Sequence, residues 1–153
     1  MPGNFLIDVT DARFKIDANA EVMRFVAEVN PFAHSDVGDV LIRLGKELPD
    51  VLQYCPSFKS CAYVVLHTPA DRIFAIAYGQ RALSVRLHDD AVEEALAGGL
   101  TPDPLIGPDW VGLPPWPTRD DPFATGRLRL WCRRAWLGAV ALDNASTRND
   151  DDD

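Results

Sequence analysis

The stretch Ile73-Phe74-Ala75-Ile76-Ala77-Tyr78-Gly79-Gln80-Arg81-Ala82-Leu83-Ser84-Val85-Arg86-Leu87 decides the fold. Branched and aromatic residues crowd both sides of a glycine that can open a tight reversal, which is the pattern of a β-hairpin. Reading Gly79-Gln80 as a two-residue loop sets Ile76 opposite Leu83 and Phe74 opposite Val85. The other face then carries Ala75 with Ser84, Ala77 with Ala82 and Ile73 with Arg86. Both faces are apolar enough to need cover, and the second is shallow. Its small residues either admit a helix at close range or leave a groove with Arg86 and His88 at the rim.

Working back toward the N-terminus, Ala62-Tyr63-Val64-Val65-Leu66 reads as a further strand, joined through Thr68-Pro69-Ala70-Asp71 with proline at the second position of a turn. Two helices precede it. Val22, Phe25, Val26 and Val29 fall at i, i+3, i+4 and i+7, and Asn30-Pro31 ends that run. Val37, Val40, Leu41, Leu44 and Leu48 form a second stripe, with Ser35 or Asp36 as N-cap, and Pro49 is expected to kink the helix before Val51, Leu52 and Cys55 continue it.

Toward the C-terminus, Asp90 and Glu93 suggest a capping box for a short helix that Gly98-Gly99 closes. Trp110-Val111-Gly112-Leu113 follows as a candidate fourth strand. Asp121-Pro122 then reads as cap and first residue of a last helix carrying Leu128, Trp131, Cys132, Ala135, Trp136, Ala139 and Val140 on one face. The expected class is α+β: an antiparallel sheet of three to four strands, with two N-terminal helices packed on one face and the C-terminal helix or a partner subunit on the other. Residues 1–143 make one domain. Residues 144–153, which end in four Asp, read as a disordered acidic tail.

Length and composition agree. The chain has 153 residues, 47% hydrophobic and 25% charged, the mixture of a single globular domain. Its formal charge is −8, so nucleic acid is a disfavoured partner. The opening Met1-Pro2-Gly3-Asn4 carries no Lys or Arg, and the apolar run Phe5-Leu6-Ile7 is too short for a signal sequence. The three cysteines, Cys55, Cys61 and Cys132, form no Cys-x-x-Cys pair, which points to a reduced, cytoplasmic setting.

No spacing in the chain forces a chemistry. The serine-elbow, zinc-protease and dinucleotide motifs are missing, and Gly45-Lys46-Glu47 lacks the hydroxyl of a phosphate loop. His34, His67 and His88 are scattered, so no metal site or cofactor is expected. Cys132 lies on an apolar stripe, where a thiol is usually a small buried hydrophobe. Arg127, Arg129, Arg133 and Arg134 concentrate charge on the last helix, yet nearby carboxylates, Asp120, Asp121 and the tail, can neutralise them.

Phe74-Ala75-Ile76-Ala77, then Leu83-Ser84-Val85-Arg86-Leu87, the helix Val92 to Gly98, and Asp109-Trp110-Val111 after a proline-bearing loop together resemble small bacterial proteins grouped under a "luciferase-domain" label. The MmcQ/YjbR-like family is a more distant likeness. The resemblance spans roughly Ile73 to Leu113 and implies an α+β arrangement of hairpin, helix, tryptophan strand and helix. Where those proteins often show a histidine before the tryptophan, this chain has Pro102-Asp103-Pro104. Two functions follow as expectations. The first is a non-catalytic domain that binds a protein partner or a second copy of itself, through the small-residue sheet face or the patch Pro114, Pro115 and Trp116. The alternative is an enzyme or binding protein for a small anionic ligand, held in a groove by Ser84, Arg86, His88 and Trp110.

Overall fold

A computed structural model describes residues 12–29, 31, 35–55, 63–79, 82–113 and 124–151. The class is α+β. Among the described residues six antiparallel strands form one sheet: β1 (Leu52–Tyr54), β2 (Val64–His67), β3 (Ile73–Tyr78), β4 (Ala82–Arg86), β5 (Thr101–Pro102) and β6 (Trp110–Leu113), in the order β1-β2-β3-β4-β6-β5. Two of them, β1 and β5, lie beyond the three to four strands expected. Both are short edge strands, below the length at which alternation is visible in a sequence. The described residues also form four α-helices: α1 (Ala20–Val29), α2 (Ser35–Lys46), α3 (Ala91–Ala97) and α4 (Ala124–Asp151).

The hairpin register differs from the expected one by a single residue. Tyr78 pairs with Ala82, so three residues separate the partners, and Ala77 faces Leu83, Ile76 faces Ser84 and Ala75 faces Val85. Gly79 supplies the left-handed backbone that opens the turn, with φ 70°. The two-residue loop would have stacked large on large and small on small. The observed pairing matches each large side chain with a small one and keeps the sheet layer even in thickness, which close packing favours. A bulge in β3, where Leu66 faces Ala75 but His67 faces Ile73, brings Phe74 onto the same side as Ala75.

The helices are also distributed differently. One core joins Val37, Leu41 and Leu44 of α2 with Leu128, Trp131, Cys132, Ala135 and Ala139 of α4 over Ala75, Ala77, Leu83 and Val85. The opposite core packs Phe14 and α1, through Val22, Phe25 and Val26, on Val65, Ile73, Ile76 and Trp110. The two N-terminal helices therefore sandwich the sheet instead of sharing a face. With the register slid by one, each face presents enough apolar area to take a helix, and a two-sided sheet buries more than a single layer would.

Local boundaries follow backbone chemistry. α2 stops at Lys46 and does not restart after Pro49: Glu47 and Leu48 bond back only three residues, and Asp50 adopts φ 58°. Proline has no N–H to carry the helix on, and the chain turns into β1. The capping box at Asp90 does not form. Asp90 is itself helical with no side-chain cap, and the Ala91 N–H finds the His88 carbonyl at 3.1 Å. Gly99, with φ 98°, closes α3 as expected. α4 runs through most of the segment read as a tail, and Asn144, Ala145 and Ser146 are exposed along it. The proposed start of that helix at Asp121-Pro122 lies outside the described residues.

Candidate functional site

On the face covered by α1, the side chains of β3, β4 and β6 alternate so that Ile76, Ser84 and Gly112 form one cross-strand row and Arg86 and Trp110 form the next. Gly112 contributes no side chain, and a Cβ there would stand 3.7 Å from Ser84 Oγ and 3.4 Å from Thr101 Oγ1. Asp103, just after β5, reaches back across the sheet to β4. Its carboxyl Oδ2 accepts hydrogen bonds from Tyr78 Oη–H at 2.6 Å and Ser84 Oγ–H at 2.5 Å. Asp103 is 8% exposed and Ser84 1%. The Asp103 backbone is fixed as well: its N–H donates to the Trp110 carbonyl, and its own carbonyl accepts from Ile106 and Gly107.

Chemically this cluster is a clamp. Burial pushes the Tyr78 hydroxyl well above its ordinary pKa, and the hydrogen bond to Asp103 and its charge push the same way. Such a phenol holds its proton, and the Ser84 hydroxyl is committed to the same oxygen.

Arg86 lies beside the clamp. Its guanidinium donates to the Ala18 carbonyl and stands 4.0 Å from Glu21 Oε1. A Cβ at Gly107 would stand 2.1 Å from Glu21 Oε2, so the Glu21 carboxyl lies directly on the 103–107 turn. Arg24 on the same helix bonds the Ile106 carbonyl at 3.0 Å. Two buried donors in this row meet no acceptor: Arg86 Nε and Trp110 Nε1.

The structure thus brings Ser84, Arg86 and Trp110 onto one face. His88 is placed differently. It packs against α4, where a Cβ at Gly138 would stand 2.9 Å from His88 Cδ2. Burial lowers its pKa below the ordinary 6.5, and the Arg86 charge adds to this. Ala75 and Ala77, expected beside Ser84, lie on the opposite face and are fully covered. No shallow groove combines these residues. Pro114, Pro115 and Trp116 lie outside the described residues. Tyr78, Asp103 and Glu21 were not singled out in the sequence; the only available signal was an aspartate held between two prolines.

A second surface lies on α4. Opposite its core stripe, Leu130 is 50% exposed and Leu137 48%, with exposed Ala141 one turn further on. The arginines of this helix are partly neutralised by Glu47 and Glu94, which are distant in sequence; Asp120, Asp121 and the side chains of the tail aspartates, expected in that role, lie outside the described residues. Arg129 Nε bonds Glu47 Oε2 at 3.1 Å, and Arg134 makes a two-pronged pair with Glu94 at 2.8 and 2.9 Å while lying over the Trp131 ring. Among the described residues no helix is long and apolar enough to cross a membrane.

Comparison with protein families, with curated proteins and with solved structures gives no significant match to this chain.

Proposed function

We propose that the chain is a non-catalytic interaction domain that receives a helical protein partner on the outer face of α4. The observation that carries this reading is the pair Leu130 and Leu137, two half-exposed leucines a heptad apart on a helix whose opposite face already fills the core. The hydroxyl and thiol groups that could serve as nucleophiles in the described core are engaged or held protonated. Tyr78 and Ser84 both spend their protons on Asp103, and burial pushes the Cys132 thiol up to about 12. The small-residue sheet face is an unsuitable docking surface because α2 and α4 cover it. Unpaired cysteines favour a cytoplasmic setting for this domain, and the likeness to luciferase-domain proteins is retained as a proposal about arrangement alone.

A photo-crosslinking residue placed at position 137 in the producing cell is expected to yield a protein adduct. The same residue at position 105, where the native leucine is 61% exposed but off this helix, is expected to yield none. Equal labelling at both positions, or none at 137, would refute the docking face.

A second reading rests on Arg86 Nε and Trp110 Nε1. Two buried N–H donors without acceptors on adjacent strands suit a small anion such as formate or chloride. That reading expects an anion-dependent rise in melting temperature that disappears in Arg86→Met. A rise that persists in the variant would assign the effect elsewhere.

A further inference from the structure

We infer that the second half of α4 is a pH-operated latch: His88 and the Arg72–Asp143 pair hold it on the domain, and protonation of His88 releases it while the rest of the fold stays intact. The latch stands whether or not a partner docks on the outer face of the helix.

Burial along α4 is uneven. Its first half anchors through Leu128, Trp131 and Cys132, none of them more than 5% exposed. Beyond Cys132 the fully buried residues among those described are Ala135 and Ala139, while Trp136 is partly covered and Leu137 and Leu142 are exposed. An alanine takes only a methyl out of water, so this half gains little from apolar burial and belongs to the part of the structure that opens at low cost. Two polar side chains tie it down. The His88 ring lies against the helix at Gly138, where an added Cβ would stand 2.9 Å from Cδ2. Further along, Arg72 Nε donates to Asp143 Oδ1 at 2.7 Å, and Asn144, Ala145 and Ser146 beyond that bond are exposed.

The charges around His88 make its contact sensitive to a proton. Among the described residues the groups that face the ring are Arg86, Asp109, Arg72 and Asp89, and Asp143 of α4 answers Arg72. Asp109 is held beside this part of the chain, since its carbonyl accepts from the Leu87 N–H at 2.9 Å. Burial and then the two arginines favour the neutral imidazole, against the pull of the two aspartates. A proton added under the closed helix would set a third cation beside Arg72 and Arg86. Lifting the helix returns the ring to water, so the open form binds that proton more tightly. By linkage the closed form is fully favoured above pH 6.5, the ordinary value, and loses ground as the pH falls below it.

The test is hydrogen exchange of the full chain between pH 8 and pH 5, corrected for the intrinsic effect of pH and repeated in low urea. Residues 138–146 are expected to lose protection about threefold or more over that range, with no sensitivity to urea, because a local opening exposes little surface. Residues 128–132 should be far better protected and should exchange faster as urea rises, through global unfolding. His88→Gln and His88→Phe should each hold residues 138–146 at one level of protection across the range; the phenyl keeps an aromatic ring against Gly138, so either variant that folds suffices. Urea-sensitive exchange of both segments in step would overturn the latch, since α4 would then leave only with the whole fold. A pH response that survives in a folded variant would overturn the part given to His88, and no pH response in the unaltered chain would overturn the latch outright.

Discussion

Ala77 stands opposite Leu83 across β3 and β4, and the pair lies under α2 and α4 with neither side chain exposed. The methyl of alanine is what lets two helices close over a sheet whose neighbouring positions are leucine and valine. Ala77→Leu adds volume with nowhere to go and should destabilise the fold by about 1–3 kcal/mol. Urea denaturation monitored by tryptophan fluorescence reads this as a lower midpoint at unchanged slope. A neutral outcome would mean that Ala77 does not sit beneath the helices.

The clamp gives a second prediction. Asp103→Ala leaves the buried Ser84 hydroxyl without its acceptor, at about 1–3 kcal/mol, and the half-buried Tyr78 hydroxyl without its own at a smaller cost. Tyr78→Phe made in that background should recover part of the loss, because the stranded phenol is then gone. A double-mutant cycle between positions 78 and 103 is expected to show a coupling of about 0.5–3 kcal/mol. Additive effects would show that the two side chains do not share this bond.

Much of the sandwich was legible because long periodic signals are robust. The spacing of Val22, Phe25 and Val26, that of Val37, Leu41 and Leu44, and the strict alternation of Leu83, Ser84, Val85 and Arg86 each point to one face whatever the neighbours do. What was lost turns on single residues. The loop at Gly79 takes one residue more than glycine alone signals, and that slip moved Ala75 and Ala77 away from Ser84. The bulge at Phe74 leaves no local signature, since it arises from pairing with β2. Asp103 could not be tied to Tyr78 from sequence because the contact crosses β6 and β4 to reach β3. Tertiary approaches of this kind carry no periodicity.

Cys132 supplies a third prediction. It is buried in the α4 core stripe, and burial together with the nearby Glu47 charge pushes its thiol up to about 12. Native protein treated with an aromatic disulfide at pH 8 should release signal from the exposed Cys55, while Cys132 reacts only on unfolding. Cys132→Ser should cost stability by burying a hydroxyl, whereas Cys132→Ala should cost less than the loss expected of a large core residue. Fast native labelling mapped to Cys132 would contradict its placement.

His88 sets the expected response to acid. Burial against α4 is the main cause that lowers its pKa below 6.5, with the Arg86 charge as the next. In the unfolded chain the imidazole titrates at its ordinary value, so below about pH 6.5 the unfolded state binds a proton that the folded state resists. Stability from this residue is therefore complete above pH 6.5 and falls as the pH drops through that value toward the folded pKa. Denaturation midpoints measured between pH 8 and 5 should decline over the lower part of that range. His88→Gln, which cannot take up the proton, should flatten the decline without changing the midpoint slope. An equally steep acid response in His88→Gln would place the titrating group elsewhere and remove the buried contact with Gly138 as its cause.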